Sequence, residues 1–275
     1  MLSITSDYLK DTGCPQPYLQ HIAEAGFSHV HWCHQWTTDF IYSRPEIEQI
    51  ARWLAEYDLH ILNLHASAGI EKNWNSPREY ERLAGIELVA NRLQMTAELG
   101  ADVAILHMQR QPLDPAEIVL YWDRLHLSLD ALEPEARRLG VRLALENYDD
   151  DSYLEVQRLF SEYSPAFLGF CYDCGHGNMG RGEGLDQLER VKDRLIAVHL
   201  HDNDGTGDQH RVPFKGTVDW PRLAQIIARS SYYGMVNLEV ITNYPDFDNE
   251  TAFLAAAFAA GTRFSEMVDQ ARQGG

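Results

Sequence analysis

The chain has 275 residues, 45% apolar and 23% charged, with 23 Lys and Arg against 41 Asp and Glu, a formal net charge of −18. This is an ordinary soluble composition with enough length for a substantial core, read as one domain over residues 1–275. The acidic surplus repels nucleic acid and anionic membranes at long range, and no run of about 18 apolar residues is available to span a membrane. The opening "MLSITSDYLK" lacks the basic-then-apolar pattern of a secretory signal, so a cytoplasmic protein is expected. Of the four cysteines, Cys171 and Cys174 form a CxxC pair with no second pair to complete a zinc ribbon. Two small buried thiols are expected there, with a redox pair as the alternative.

Short apolar runs alternate with longer amphipathic ones from end to end. The first strand is expected in "LSITSDYL", followed by a helix from near Pro15 with Leu19, Ile22 and Ala23 on one face. A strand in "HVHWC" leads to a helix from near Pro45, and one in "HILNLHAS" to a long helix from about Ser76 to Leu99. Strands then follow in "DVAILHM", "RLALEN", "LGFCYDCGH" and "LIAVHLHD". A helix after Trp220 places Leu223, Ile226 and Ile227 at i, i+3 and i+4, and "VNLEV" is the eighth strand. Pro at first turns and Gly after last turns recur, as in "PQPYLQHIAEAG" and "MTAELG". Eight such units with no linker between them predict an α/β fold, a single (β/α)8 TIM barrel with parallel strands. An open doubly wound sheet would carry a Gly-rich phosphate turn after an early strand. Here "GNMGRGEG" follows the sixth strand instead.

Barrel strands alternate between inward and outward side chains. The apolar residues facing the helices are then Leu62 and Leu64, Ala104 and Leu106, Leu143 and Leu145, Leu168, Phe170 and Tyr172, Ile196, Val198 and Leu200, and Val236, Leu238 and Val240. The same parity turns His65, His107, Glu146, Asp173, His199 and Glu239 inward near the C-terminal ends of six strands, where barrel active sites form. Burying so many acids and imidazoles unpartnered costs several kcal/mol each, and a divalent cation removes that cost by taking them as ligands. In "HLHDNDGTGDQH", His201 shares the inward face as a supporting or substitute ligand, and Asp202 is expected to orient an imidazole. Asp204 reads as solvated, and Asp208 and His210 lie on a loop able to fold back over the site. His29, His31 and His34 crowd the second strand without being needed as ligands. Trp32, Trp36 and Trp74 lie near the mouth, where Trp36 is the candidate to stack on a substrate's C–H face; ordinary packing is the alternative for each.

The ordered set "LALEN", "DCGH", "HLHDN", "DQH" and "LEV" resembles the xylose-isomerase-like barrel superfamily over essentially the whole chain. Likeness to its ketose 3-epimerase branch implies a sugar isomerase or epimerase that acts on a small sugar or polyol. It further implies one divalent metal (Mn, Zn, Co or Mg) held by Glu146, Asp173, His199 and Glu239. The two glutamates would serve as the acid/base pair, and His176 would contact substrate. That branch also places an Arg shortly after the strand-seven His, for which Arg211 and Lys215 are the nearest candidates. The endonuclease IV branch implies instead three zinc ions and abasic DNA, with His65, His107, His176, Asp208 and His210 as additional ligands. A keto-inositol dehydratase is a variant of the first chemistry. The strand-end loops offer little basic character, with Arg110, Arg181, Arg211 and Lys215 as candidates, so a nucleic-acid partner is disfavoured and a small molecule expected. Oligomeric state stays open, a homo-oligomer included.

Overall fold

The computed structural model describes residues 1–108, 111–148, 152–180, 182–242 and 247–274. Its strands are β1 (Leu2–Thr5), β2 (His29–Trp32), β3 (His60–His65), β4 (Val103–His107), β5 (Arg142–Glu146), β6 (Leu168–Asp173), β7 (Leu195–His199) and β8 (Val236–Leu238). Between and after them lie α1 (Gln16–Glu24), α2 (Arg44–Glu56), α3 (Glu79–Glu98), α4 (Pro115–Leu139), α5 (Ser152–Glu162), α6 (Cys174–Asn178), α7 (Gly184–Val191), α8 (Trp220–Ala228) and α9 (Glu250–Gly274). The strands pair in parallel in the order β7-β6-β5-β4-β3-β2-β1-β8, and a bridge between Leu200 and Leu238 joins the two ends. This is the expected (β/α)8 barrel. No helix among the described residues is long and apolar enough to cross a membrane.

The local sequence accounts for the helices. Ser43 and Glu46 form a capping box with Pro45 in the first turn of α2, and Asp114 caps α4 through the Ala116 N–H. Gly140 ends α4 at φ 69°, a left-handed position that favours glycine.

The outward strand residues join the main core against the helices, and Val103, Ile105, Ala144, Cys171 and Ala197 form a small separate cluster inside the barrel. Cys171 and Cys174 are buried free thiols. Cys174 Sγ donates to the His201 carbonyl at 3.0 Å and receives the His201 N–H at 3.4 Å, so it ties β6 to the chain leaving β7.

Two stretches depart from simple alternation. In β3, Val30 pairs with Ile61 but His31 pairs with Asn63, so Leu62 is an extra residue. Ile61 therefore joins the helix-facing core, and Leu62 is only half-buried, beside Asn63 at a cleft rather than in that core. In β7, Phe170 pairs with Leu195 and Cys171 with Ala197, which makes Ile196 the extra residue. Leu195 packs outward and Ile196 against the interior cluster, the reverse of strict parity. A bulge shifts parity for the residues before it and leaves the site end unchanged. Several strands are also shorter than their apolar runs: β1 ends at Thr5, β6 turns into α6 at Cys174, and Glu239 lies just past β8.

Candidate metal centre

Glu146 ends β5, Asp173 ends β6, His199 ends β7 and Glu239 follows β8, so four neighbouring strand ends aim four donors at one point. Their ligand atoms lie within 4.8 Å of one another. His199 Nδ1 is 3.2 Å from Glu146 Oε1, 3.0 Å from Glu239 Oε2 and 3.9 Å from Asp173 Oδ2. The side chains of Glu146, Asp173 and His199 are at most 1% exposed, whereas that of Glu239 is 12% exposed and reaches the mouth.

The surroundings fix these groups. Asn147 pairs with the Asp173 backbone in both directions, its Nδ2 donating to the carbonyl at 2.9 Å and its Oδ1 accepting the N–H at 2.8 Å. Asp173 Oδ1 accepts the His176 N–H at 2.7 Å, which caps α6. Asp173 also faces His201 Nε2, 3.0 Å from each carboxylate oxygen. That imidazole fits only because residue 175 is glycine: a Cβ there would lie 1.9 Å from His201 Cε1. His201 thus holds Asp173 in place.

Three further imidazoles share one arrangement. The Nδ1 of His65 bonds to the Ala66 carbonyl, that of His176 to the Asn147 carbonyl, and that of His210 to the Glu239 carbonyl, at 3.1, 2.9 and 2.7 Å. Each Nδ1–H is the donor, so each Nε2 is directed at a carboxylate. His65 Nε2 and His107 Nε2 approach Glu146 Oε2 at 3.5 and 3.2 Å. His176 Nε2 and His210 Nε2 approach Asp208 Oδ2 at 3.3 and 3.0 Å.

Lone pairs facing one another at these distances need a proton or a cation between them. The buried atoms His65 Nε2, Glu146 Oε2, His199 Nδ1 and His199 Nε2 have no hydrogen-bond partner. The donors therefore fit a divalent cation. Burial alone would raise the Glu146 carboxyl, but His107 and His199 hold it well below the usual carboxylate range. Burial likewise opposes charge on His199, yet Cys171, Glu146 and Glu239 push it well above an ordinary imidazole.

The other candidates are placed differently. Asp202 orients no imidazole: its Oδ1 accepts the N–H groups of Asn203 and Val218 and its Oδ2 accepts Trp220 Nε1–H, which anchors the start of α8. Arg211 pairs with Asp204 at 3.1 Å, and Lys215 is exposed. Trp32 is core, and Trp74 is buried with its Nε1–H donating to the His107 carbonyl at 3.0 Å. Arg110 and Arg181 lie outside the described residues.

Three groups at the site have no signal in strand-end motifs. His31 sits behind Glu239, its Nε2 3.9 Å from Glu239 Oε1 and its Nδ1 2.6 Å from Asn63 Oδ1; burial lowers it to about 3. Asp7 is bonded by the Thr5 hydroxyl, and burial, with the charge of Glu239, pushes it up to about 6. The Tyr148 ring lies 5.2 Å from that of His176. Only the Asn of "LEN" is a local hint, since it adjoins Glu146.

A family of proteins described as xylose isomerase-like TIM barrels matches residues 19–257. The uncharacterized protein y4fM of Sinorhizobium fredii is 34% identical over 280 residues, covering 92% of this chain and 89% of that protein. An inosose dehydratase of Bacillus licheniformis is 25% identical over 207 residues, 63% of this chain and 69% of that enzyme. Among solved structures, a D-tagatose 3-epimerase-like protein superposes with a TM-score of 0.79 at 20% identity, covering 98% of both chains.

Proposed function

The chain belongs to the xylose isomerase-like TIM barrel family, and from that premise we propose that it is a divalent-metal-dependent sugar isomerase or epimerase. The observation that carries this reading is the convergence of Glu146, Asp173, His199 and Glu239 within 4.8 Å around an imidazole with both nitrogens unpartnered. These four residues would hold the cation, with Mn, Zn, Co and Mg all compatible with oxygen and imidazole donors. When bound, the cation polarises a substrate carbonyl and the adjacent hydroxyl, so that the C–H proton between them becomes acidic. Glu146 and Glu239 are the acid/base pair. One carboxylate takes the C–H proton, and the pair returns it to the opposite face or to the neighbouring carbon. His176 is within reach of a substrate hydroxyl at the mouth, and Asp173, held by Asn147 and His201, acts as a ligand only.

The test is proton NMR of the metal-loaded protein with ketoses and keto-inositols in D₂O. Deuterium at one carbon beside the carbonyl is expected, and the labelled carbon separates epimerase from isomerase. Loss of water from a keto-inositol would mark the dehydratase variant, for which the inosose dehydratase likeness argues. No exchange in any compound sinks the proton-transfer reading.

A second reading, hydrolysis of abasic DNA at three zinc ions, is favoured by the additional donors His65, His107, His176, Asp208 and His210 around the same four residues. The net charge of −18 argues against a DNA substrate. Three zinc ions per chain together with cleavage of an abasic duplex would establish this reading in place of the first.

A further inference from the structure

Trp36 is half-buried at the mouth, on the loop between β2 and α2. Its ring centroid is 4.1 Å from His65 and 5.2 Å from His107, and those two imidazoles are 4.9 Å apart. The interplanar angles are 28°, 17° and 12°. Three such distances make a triangle, not a column, so the indole lies against both imidazoles at once. Beside this indole the two Nε2 atoms approach a single oxygen, Glu146 Oε2.

Holding the indole there costs free energy. The residue before it, Gln35, is left-handed at φ 63°, a conformation non-glycine residues avoid. The Trp36 carbonyl is clamped by Ser67 Oγ–H at 2.7 Å and the Ala68 N–H at 3.1 Å. The far end of the loop is held from α3, where Arg92 donates to the Phe40 carbonyl at 2.8 Å and Asn91 bonds both the N–H and the carbonyl of Tyr42. Arg92 is fully buried, stacks on Tyr42 and keeps an unpartnered Nε; no carboxylate among the described residues pairs with it. A strained backbone and a buried cation without an acid are both unfavourable, and both serve one loop.

We propose that Trp36 is a positioning residue: its indole sets the planes of His65 and His107 so that their Nε2 atoms converge with Glu146 Oε2 on one cation. This goes beyond the proton-transfer chemistry and rests on the additional donors of the second reading, a cation site at His65, His107 and Glu146 beside the four-residue centre. The Nδ1 bond to the Ala66 carbonyl already holds His65 in part, and a planar ring against both imidazoles further limits rotation about χ2, which is otherwise broad. An aliphatic side chain of similar bulk leaves that rotation free.

The test compares Trp36→Leu with Trp36→Phe. In the metal-free protein, imidazole ¹⁵N–¹H correlations of His65 and His107 are expected to shift and broaden in Trp36→Leu and to stay sharp in Trp36→Phe. Zn²⁺ titration against a chromophoric chelator is expected to show about a tenfold loss of affinity at one site in Trp36→Leu. The other site should be unchanged, and Trp36→Phe should be close to wild type. Sharp, unshifted His65 and His107 signals in Trp36→Leu would overturn the proposal, as would a Trp36→Phe variant as defective as Trp36→Leu. If wild-type protein takes no Zn²⁺ at His65 and His107, the second cation site fails separately from the four-residue centre, and the ring signals of the metal-free protein still decide the role of Trp36.

Discussion

Glu146 and Glu239 differ in surroundings although they share His199. Glu146 is 1% exposed and approached by four imidazoles, those of His65, His107, His176 and His199, whereas Glu239 is 12% exposed and opens to the mouth. On the proposed function, replacing either with Gln removes the proton acceptor while keeping the shape. Turnover in each variant is expected to fall about 10²–10⁴-fold, with far-UV circular dichroism unchanged; full turnover in both would dismiss the acid/base assignment. Asp7 supplies a prediction that needs no metal. Burial and the charge of Glu239 raise its pKa from 3.8 to about 6. Between those values the unfolded chain has ionised Asp7 and the folded chain has not, so stability falls as pH rises and the penalty is complete above about 6. Asp7→Asn escapes it. The metal-free variant should match wild type near pH 4 and exceed it by roughly 1–3 kcal/mol at pH 7.5 in urea unfolding. An equal difference at both pH values would reject this account.

At the scale of elements, the site depends on how closely loops approach helices. Gly85 of α3 faces the loop after β3, where a Cβ would lie 2.2 Å from the Trp74 nitrogen and 2.3 Å from the Asn73 carbonyl carbon. Those are backbone atoms, so no side chain can swing away. Alanine gains about 1 kcal/mol of helix propensity over glycine, but the collision forces Trp74 outward and strains its bond to the His107 carbonyl. A net loss of about 1–3 kcal/mol is expected for Gly85→Ala, and a raised melting temperature would contradict the packing described. The bulges in β3 and β7 act oppositely: each absorbs an extra residue below the site and leaves His65 and His199 in phase with their neighbours.

For the whole molecule, the central feature is a barrel mouth of facing carboxylates and imidazoles in a chain of net charge −18. Cation binding to the folded state alone stabilises it by about 4 kcal/mol at a thousand times Kd. At roughly 2–4 °C per kcal/mol for a chain of this size, chelation should lower the melting temperature by roughly 8–16 °C, and excess Mn²⁺ or Zn²⁺ should restore it. A melting curve indifferent to chelator would count against any cation in the mouth.

What the sequence determined by itself follows from local backbone geometry. Eight alternating apolar runs specify the barrel, and alternation along a strand, a property of the pleat, places Glu146, Asp173 and His199 on the inward side near the same end. Features that need distant segments to meet were not legible. Asp202 is adjacent in sequence to the histidines but bonds Val218 and Trp220, because α8 arrives there only after the loop has folded. The bulges at Leu62 and Ile196 depend on neighbouring strands competing for register, and strict parity misplaces Leu62, Leu195 and Ile196 for that reason. Asp7, His31 and the contact of Trp36 with His65 and His107 come together only once the barrel closes. Parity belongs to each strand alone and can be read along it; the identity of a partner belongs to the closed barrel, and only the tertiary structure decides it.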